Sequence, residues 1–323
     1  MNLSVRPLAI LNMDKETTKG TIELKRRHLY FAVLVVASVI LTWRGLSALV
    51  LYSLRDESGS HIVLIPFISL FLVQMARKTI FVEGRRSIGL GGTLIGLGLV
   101  AYWQASRHSF AEDGSLFFSE AALAVVGMWI GAFVLCYGSR AARAALFPLL
   151  FLLLMVPLPE VILRPAVHFL QQGSTVISYF IFKAFGVPVL RQGFLLALPG
   201  VTIEVATECS GIRSSIALLI TCLLAAHLSL RTPWKILLFV ALVIPLSVVK
   251  NGIRIATLVF LSVYVDPGFL TGRLHREGGF VFFVLALAML WPVLQLLQRS
   301  EGGRPHRANP APTEQGATGT VGG

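Results

Sequence analysis

The stretch that decides the fold is residues 279–297, GFVFFVLALAMLWPVLQLL, which contains no charged side chain. An α-helix needs about 20 apolar residues to cross the hydrocarbon core of a bilayer. Comparable apolar runs recur along almost the whole chain, at residues 29–51, 62–76, 88–104, 117–137, 145–158, 210–228, 234–253 and 279–297. The sequence therefore predicts an all-α fold, a polytopic transmembrane helical bundle with about eight spans.

The composition favours a membrane domain for the same reason. Of the 323 residues, 55% are hydrophobic and only 14% are charged, and the mean hydropathy is +0.76. A soluble domain has about 25% charged residues, and a soluble fold of this size could not cover so much apolar surface. We predict one transmembrane domain at 29–298, after a cytoplasmic N-terminal segment at 1–28. A cytoplasmic tail at 299–323, rich in Gly, Pro and Thr, should be disordered.

The basic residues predict the orientation of the chain in the membrane. They follow alternate apolar runs or precede the first one: Lys25, Arg26, Arg27, Arg77, Lys78, Arg85, Arg86, Arg140, Arg143, Arg231, Lys235, Arg299, Arg304 and Arg307. Lys and Arg are in excess in cytoplasmic loops, so the net charge of +12 needs no nucleic acid partner. Both termini should be cytoplasmic. The acidic loops between, including those with His61, Glu204 and Glu208, should then face outward.

The longest outward segment is residues 159–208, between the fifth and sixth runs. Within it, Arg164–Phe185 has apolar residues at helical spacing, which predicts a helix in the membrane interface or packed over the bundle. Residues 194–206 should form a short extended segment that turns at Pro199 and Gly200.

Cys209 is the cysteine that can carry chemistry. Cys136 and Cys222 lie inside apolar runs and read as small buried hydrophobes, whereas Cys209 lies among polar residues in Glu208-Cys209-Ser210-Gly211. At the start of a helix, the positive end of the helix dipole would favour its thiolate. Arg213, one turn further on, could support that thiolate. The alternative is that Cys209 or Ser210 only caps the helix that follows.

Two further polar blocks should reach the same membrane face as Cys209. Asn251-Gly252-Ile253-Arg254 lies in an apolar stretch, where a buried charge needs a partner or a purpose; a snorkelling Arg at a helix end is the alternative. His275 directly precedes the last run, and a lone interfacial His is often incidental. His61, at the outer end of the second run, could line the same cavity or lie in a loop.

Cys, His and Arg together suit acyl transfer. A thiolate attacks an amide carbonyl, a His moves the proton, and an Arg stabilises the oxyanion or holds the substrate. The carboxylates of Glu204 and Glu208 could orient His275 or bind a basic substrate, although solvated loop carboxylates are the simpler reading. The remaining His residues show no metal-ligand spacing, and the chain has no phosphate-binding glycine loop. We expect no metal and no cofactor.

These blocks resemble those of the exosortase/archaeosortase family of polytopic membrane transpeptidases, in its bacterial exosortase branch. The matching pieces are Ser60-His61 with Ile65-Pro66, Met155-Val156-Pro157-Leu158-Pro159, Glu208-Cys209-Ser210-Gly211-Ile212-Arg213-Ser214, Asn251-Gly252-Ile253-Arg254-Ile255 and His275. The resemblance implies that Cys209 is the nucleophile, Arg254 the positioning or transition-state cation and His275 the third member. His61, Glu208, Ser210, Arg213 and Asn251 would support them or bind substrate.

The resemblance also implies a substrate and a location. Substrates would be secreted proteins whose C-terminal sorting signal has a short Pro-containing motif, a membrane helix and a basic cluster. The enzyme would lie in the bacterial inner membrane with its site facing the periplasm. The competing hypothesis is a non-enzymatic transporter or assembly factor for exopolysaccharide export. Such a protein would need polar groups at mid-membrane and preferably a repeat between its two halves. The sequence makes no prediction of the oligomeric state.

Overall fold

The computed structural model describes residues 6–55, 59–82, 86–107, 114–270 and 279–302. These residues are almost all helical, so the predicted all-α membrane bundle is confirmed. By its internal contacts the chain divides into two compact units, Met1–Ala217 and Leu218–Gly323.

The first unit is built from eight helices in its described part, in which α6 is central. They are α1 (Arg6–Leu41), α2 (Trp43–Arg55), α3 (Leu64–Met75), α4 (Arg77–Ile80), α5 (Ile88–Ala105), α6 (Gly114–Ala144), α7 (Leu146–Phe151) and α8 (Glu160–Ala184). A 3₁₀ turn at Leu152–Met155 follows α7. Helix α6 packs against α1, α2, α4, α5 and α7. Of the most apolar stretch of α6, 72% is buried, so this helix forms the middle of the unit. Helix α1 runs without a break across the predicted boundary at residue 28.

Close packing of α5 on α6 depends on two glycines of the α5 glycine-rich face. A Cβ at Gly91 would come within 2.5 Å of the Leu135 backbone, and one at Gly98 within 2.9 Å of the Ala124 carbonyl. Gly89, Gly92 and Gly96 have open space instead. Membrane helices attract each other mainly through packing, and small residues let their backbones approach. Of these five glycines, Gly91 and Gly98 therefore make the close contact.

Polar side chains of α1 and α6 find partners inside the first unit. The indole Nε1 of Trp129 donates to Ser38 Oγ at 2.9 Å, and His28 Nδ1 lies 2.6 Å from Tyr137 Oη. In a bilayer there is no water to bond such groups, so each needs an internal partner. These bonds fix α1 against α6 at two levels.

The sequence predicts about eight spans, and the described helices supply five to seven candidates and one shorter apolar helix. In the described residues, five helices are long and apolar enough to cross a membrane, or seven if each of two bent pairs counts as one span. The pairs are α1–α2, bent by 80°, and α7–α8, bent by 87°. The hydroxyls of Ser38 and Thr42 bond to carbonyls one turn back, which bends helices. The predicted run at 62–76 becomes α3, only 12 residues long.

In its described part, the second unit contains α9, whose first turn belongs to the first unit, and three further helices. These elements are α9 (Ile212–Ser229), α10 (Pro233–Ala241), α11 (Val243–Tyr264), a 3₁₀ turn (Pro267–Leu270) and α12 (Gly279–Gly302). Their core comprises Leu218, Cys222, Ala226, Leu230, Phe239, Val243, Ala286, Leu290 and Leu294.

A carboxylate at the end of α12 holds the start of α10. The Glu301 carboxylate accepts the backbone N–H groups of Arg231 (3.0 Å) and Thr232 (2.9 Å). Lys235 donates to Ser300 Oγ at 2.8 Å and lies 3.9 Å from Glu301. The first residues of the predicted tail, 299–302, therefore belong to α12. Residues 303–323 lie outside the described part.

We predict that Gly91→Ala lowers the free energy of unfolding by about 1–3 kcal/mol, the usual cost of overpacking a well-packed interface. The new methyl group meets backbone atoms of α6, which cannot move aside as a flexible side chain would. Denaturant unfolding in detergent micelles measures the change. Gly92→Ala is the matched control and should be neutral or slightly stabilising. Equal effects of the two substitutions would contradict the role of Gly91.

Candidate active site

Helix α8 turns its polar side inward and its apolar side outward. Gln171, Ser174, Thr175 and Ser178 are buried, at the i, i+3, i+4 and i+7 spacing of one helix face. Val161, Ile162, Phe169 and Phe180 are exposed. The predicted helix at 164–185 is thus present, and four polar residues lie on its buried face. Exposed apolar side chains suit contact with lipid.

A small antiparallel sheet follows α8, and two of its three strands lie within the extended segment predicted at 194–206. Its strands are β1 (Leu190–Gln192), β2 (Leu195–Leu198) and β3 (Val201–Glu204), in the order β1-β2-β3. Leu196 pairs with Ile203 and is fully buried. The turn between β2 and β3 contains Gly200, whose φ of +83° suits glycine. The sheet leads the chain directly to Glu208 and Cys209.

The segment that carries Cys209 is a 3₁₀ turn, Thr207–Ser210, packed against α8. Val205, two residues before this turn, is hydrogen-bonded on both sides. Its N–H donates to Phe194 O at 3.0 Å, and its carbonyl accepts a hydrogen bond from the Gln171 side-chain amide. Ser210, at the end of the turn, is fully buried. The side chains of Glu208 and Cys209 lie outside the described residues.

Gly211 joins this turn to α9 in the left-handed conformation, with φ +76° and ψ +16°. Its carbonyl accepts the Ser215 N–H at 2.9 Å and the hydroxyls of Ser214 and Ser215 at 3.0 and 2.8 Å. Within the part of the chain that the structure describes, the buried Ser210 Oγ has no hydrogen-bond partner. Ser210 therefore does not cap α9 as one reading of the sequence suggested, because the left-handed glycine intervenes.

The backbone places Cys209 three residues before Ile212, the first residue of α9. The first N–H groups of a helix have no partner within it, and they carry the positive end of the helix dipole. Such a position favours a negatively charged group over a neutral one. Arg213 lies in the first turn of α9 and is exposed.

Helix α11 carries Arg254 on a polar stripe. Ser247, Lys250 and Asn251 are buried, with Lys250 and Asn251 each only 1% exposed, and Arg254 is half-buried one turn beyond Lys250. Charged side chains within membrane helices are costly and mark functional sites. Lys250 is therefore a further candidate site residue. The signal in the sequence is its i, i+4 spacing to Arg254.

The other predicted site residues fall in different places. His61 is half-buried in the turn before α3, and its carbonyl accepts the N–H of Leu64 at 3.0 Å. The turn is anchored by Ser53 Oγ, which donates to Gly59 O at 2.8 Å. His275 lies outside the described residues. Cys209 belongs to the first unit and Arg254 to the second, so the meeting of Cys209, Arg254 and His275 stays a prediction.

We predict that Gly211→Ala lowers the free energy of unfolding by about 1–2 kcal/mol, because a Cβ is strained in the left-handed region. The substitution should also displace the Thr207–Ser210 turn. Denaturant unfolding in micelles measures the first effect, with Gly89→Ala, at an open helical position, as the control. Unchanged stability of the Gly211→Ala protein would contradict the left-handed conformation.

Comparison with protein families gives one match, to the transmembrane exosortase family, over residues 53–292. Comparisons with curated proteins and with solved structures returned no match. The matched region begins within α2 and ends within α12, and it includes the Cys209 turn and the polar stripe of α11. The match covers most of the chain and agrees with the helical membrane architecture. This chain therefore belongs to the transmembrane exosortase family.

Proposed function

We propose that this protein is a membrane-embedded cysteine transpeptidase or protease that cleaves C-terminal sorting signals of secreted proteins. The observation that supports the proposal is the setting of Cys209 in an exosortase chain. Its turn is fixed by buried contacts and precedes the N-terminus of α9, whereas Cys136 and Cys222 are buried free cysteines. We infer that Cys209 is the nucleophile.

The proposed reaction begins with attack of the Cys209 thiolate on the carbonyl carbon of the scissile amide. The C–S bond forms, and the carbonyl electron pair moves to oxygen. Arg254, as a cation, stabilises that oxyanion or positions the carbonyl. When the oxyanion collapses, the C–N bond breaks and His275 gives a proton to the leaving amine. The product is a thioester on Cys209 and a free C-terminal peptide.

The thioester then reacts with a second nucleophile. Attack by an amine or hydroxyl of an envelope acceptor transfers the secreted protein, and attack by water hydrolyses it. Either step returns the Cys209 thiol. His61, Glu208, Ser210, Arg213 and Asn251 would position the substrate or these groups; of the five, Ser210 and Asn251 are buried in the structure.

The proposed substrates are secreted proteins that end in a Pro-containing motif, a membrane helix and a basic cluster. The substrate helix would lie in the bilayer beside the enzyme, where the exposed apolar faces of α8 and α12 offer lipid-like contact. The basic cluster would stay in the cytoplasm, which places the scissile motif on the opposite side. That arrangement agrees with a site on the periplasmic face of the inner membrane.

The central prediction is that Cys209→Ala abolishes processing of a sorting-signal protein while the variant inserts and folds normally. Without the sulfur no thioester forms, so the rate should fall at least about 10⁴-fold, as when a covalent nucleophile is removed. Gel analysis of substrate processing in cells or proteoliposomes measures this. The double variant Cys136→Ala/Cys222→Ala is the control and should process normally. Normal processing by Cys209→Ala would reject the proposal, whereas transport in proteoliposomes that survives loss of Cys209 would favour the transport hypothesis.

The proposed orientation gives a second test. Reporter domains active only in the cytoplasm should work when fused after Gly323, and reporters active only in the periplasm should work when inserted after Gly193, in the turn between β1 and β2. Enzymatic activity of each fusion in intact bacteria is the measurement. A cytoplasmic signal from the Gly193 insertion would contradict a periplasmic site.

A further inference from the structure

The chain enters the Cys209 turn through Val205, whose backbone is bonded on both sides. The N–H of Val205 goes to Phe194 O, in the turn between β1 and β2, at 3.0 Å. Its carbonyl accepts the side-chain Nε2 of Gln171, from α8. Val205 itself is 1% exposed. Two separate parts of the first unit thus fix the two peptide groups that flank the Val205 Cα, four residues before Cys209.

The Gln171 side chain connects the buried stripe of α8 to another segment of the chain. The hydroxyls of Thr175 and Ser178 donate to carbonyls of their own helix, at 2.8 Å each. The Gln171 amide instead reaches across to another segment of the chain. Gln171 is 6% exposed, and a polar amide held in a buried site needs its hydrogen bonds. This bond therefore connects α8 to the chain that leads into the turn.

We propose that Gln171 is a positioning residue for the nucleophile: by holding the Val205 carbonyl, it fixes the Thr207–Ser210 turn and so the place of Cys209 before the N-terminus of α9. The inference rests on the proposed function, in which Cys209 is the nucleophile. Gln171 acts through the backbone and contacts no reacting atom. It belongs to none of the blocks that carry the family resemblance.

The geometry explains why one hydrogen bond matters for rate. The turn is short, and its far end is fixed by the left-handed Gly211. With Val205 held at one end and Gly211 at the other, the peptide groups between them have little freedom. A nucleophile displaced by about 1 Å can lose 10²-fold in rate. Loss of the Gln171 bond should therefore slow the chemical step and leave substrate binding nearly unchanged.

The test compares Gln171→Met with Gln172→Met in a Cys136→Ala/Cys222→Ala background, where Cys209 is the remaining cysteine. Methionine matches the length of glutamine but cannot donate to Val205 O. Gln172 is the adjacent residue and is exposed, so it controls for the change of side chain. Three quantities are measured in micelles: the alkylation rate of Cys209 by iodoacetamide at pH 7, and kcat and KM for processing of a sorting-signal peptide.

We expect Gln171→Met to lower kcat about 10-fold or more, with KM within about twofold, and to change the alkylation rate of Cys209 by a similar factor. Gln172→Met should match the background protein in all three quantities. Wild-type kcat and alkylation in Gln171→Met would overturn the inference, as would equal losses in the two variants.

A second variant covers the case in which Gln171→Met does not fold. Gln171→Asn keeps the polar amide, but its side chain is one methylene shorter, so the amide nitrogen cannot reach Val205 O. It should lower kcat and alter alkylation in the same way, and wild-type values in it would overturn the inference. The alkylation measurement needs no substrate. If Cys209→Ala still processes substrate, the proposed function fails, while a changed alkylation rate in Gln171→Met still supports its positioning of Cys209.

Discussion

Every polar group of this chain that enters the bilayer must find its partner inside the protein, because the hydrocarbon core contains no water. The backbone meets this requirement by forming helices along nearly all of the described chain. Side chains meet it by facing inward, as Trp129 does toward Ser38 and Ser69 does toward the Pro148 carbonyl. The same constraint reverses the usual pattern in α8, whose polar stripe is covered by protein while Phe169 and Phe180 are exposed.

That reversal places buried polar side chains beside the segment that leads to Cys209. A polar stripe facing inward from a membrane helix can hold backbone that is not helical, and in the first unit it does so: Gln171 bonds the Val205 carbonyl where the small sheet ends. Irregular backbone at membrane depth is tolerated only where protein or a cavity surrounds it. The sheet, the 3₁₀ turn and the left-handed Gly211 form a short non-helical insert. This insert carries Cys209 to the start of α9.

Close helix packing supplies the rigid background that such an insert needs. Gly91 and Gly98 let α5 approach α6, and α6 in turn packs against most of the first unit. In the second unit, Glu301 ties the end of α12 to the start of α10. Catalytic groups must be held within about 0.5 Å of their working geometry by packed and bonded neighbours. The proposed acyl transfer depends on that support as much as on the identity of the nucleophile.

The sequence by itself determined the membrane class, the helical fold and the exosortase resemblance, because apolar length and motif residues are local properties of the chain. It also located the extended segment at 194–206 and separated Cys209 from two cysteines that the structure buries. Only the tertiary structure decided that the run at 29–51 bends near Thr42, that the run at 62–76 makes a short helix, and that Ser210 does not cap α9. It alone showed that Gln171 reaches Val205, since a contact between residues 34 positions apart depends on packing rather than on periodicity.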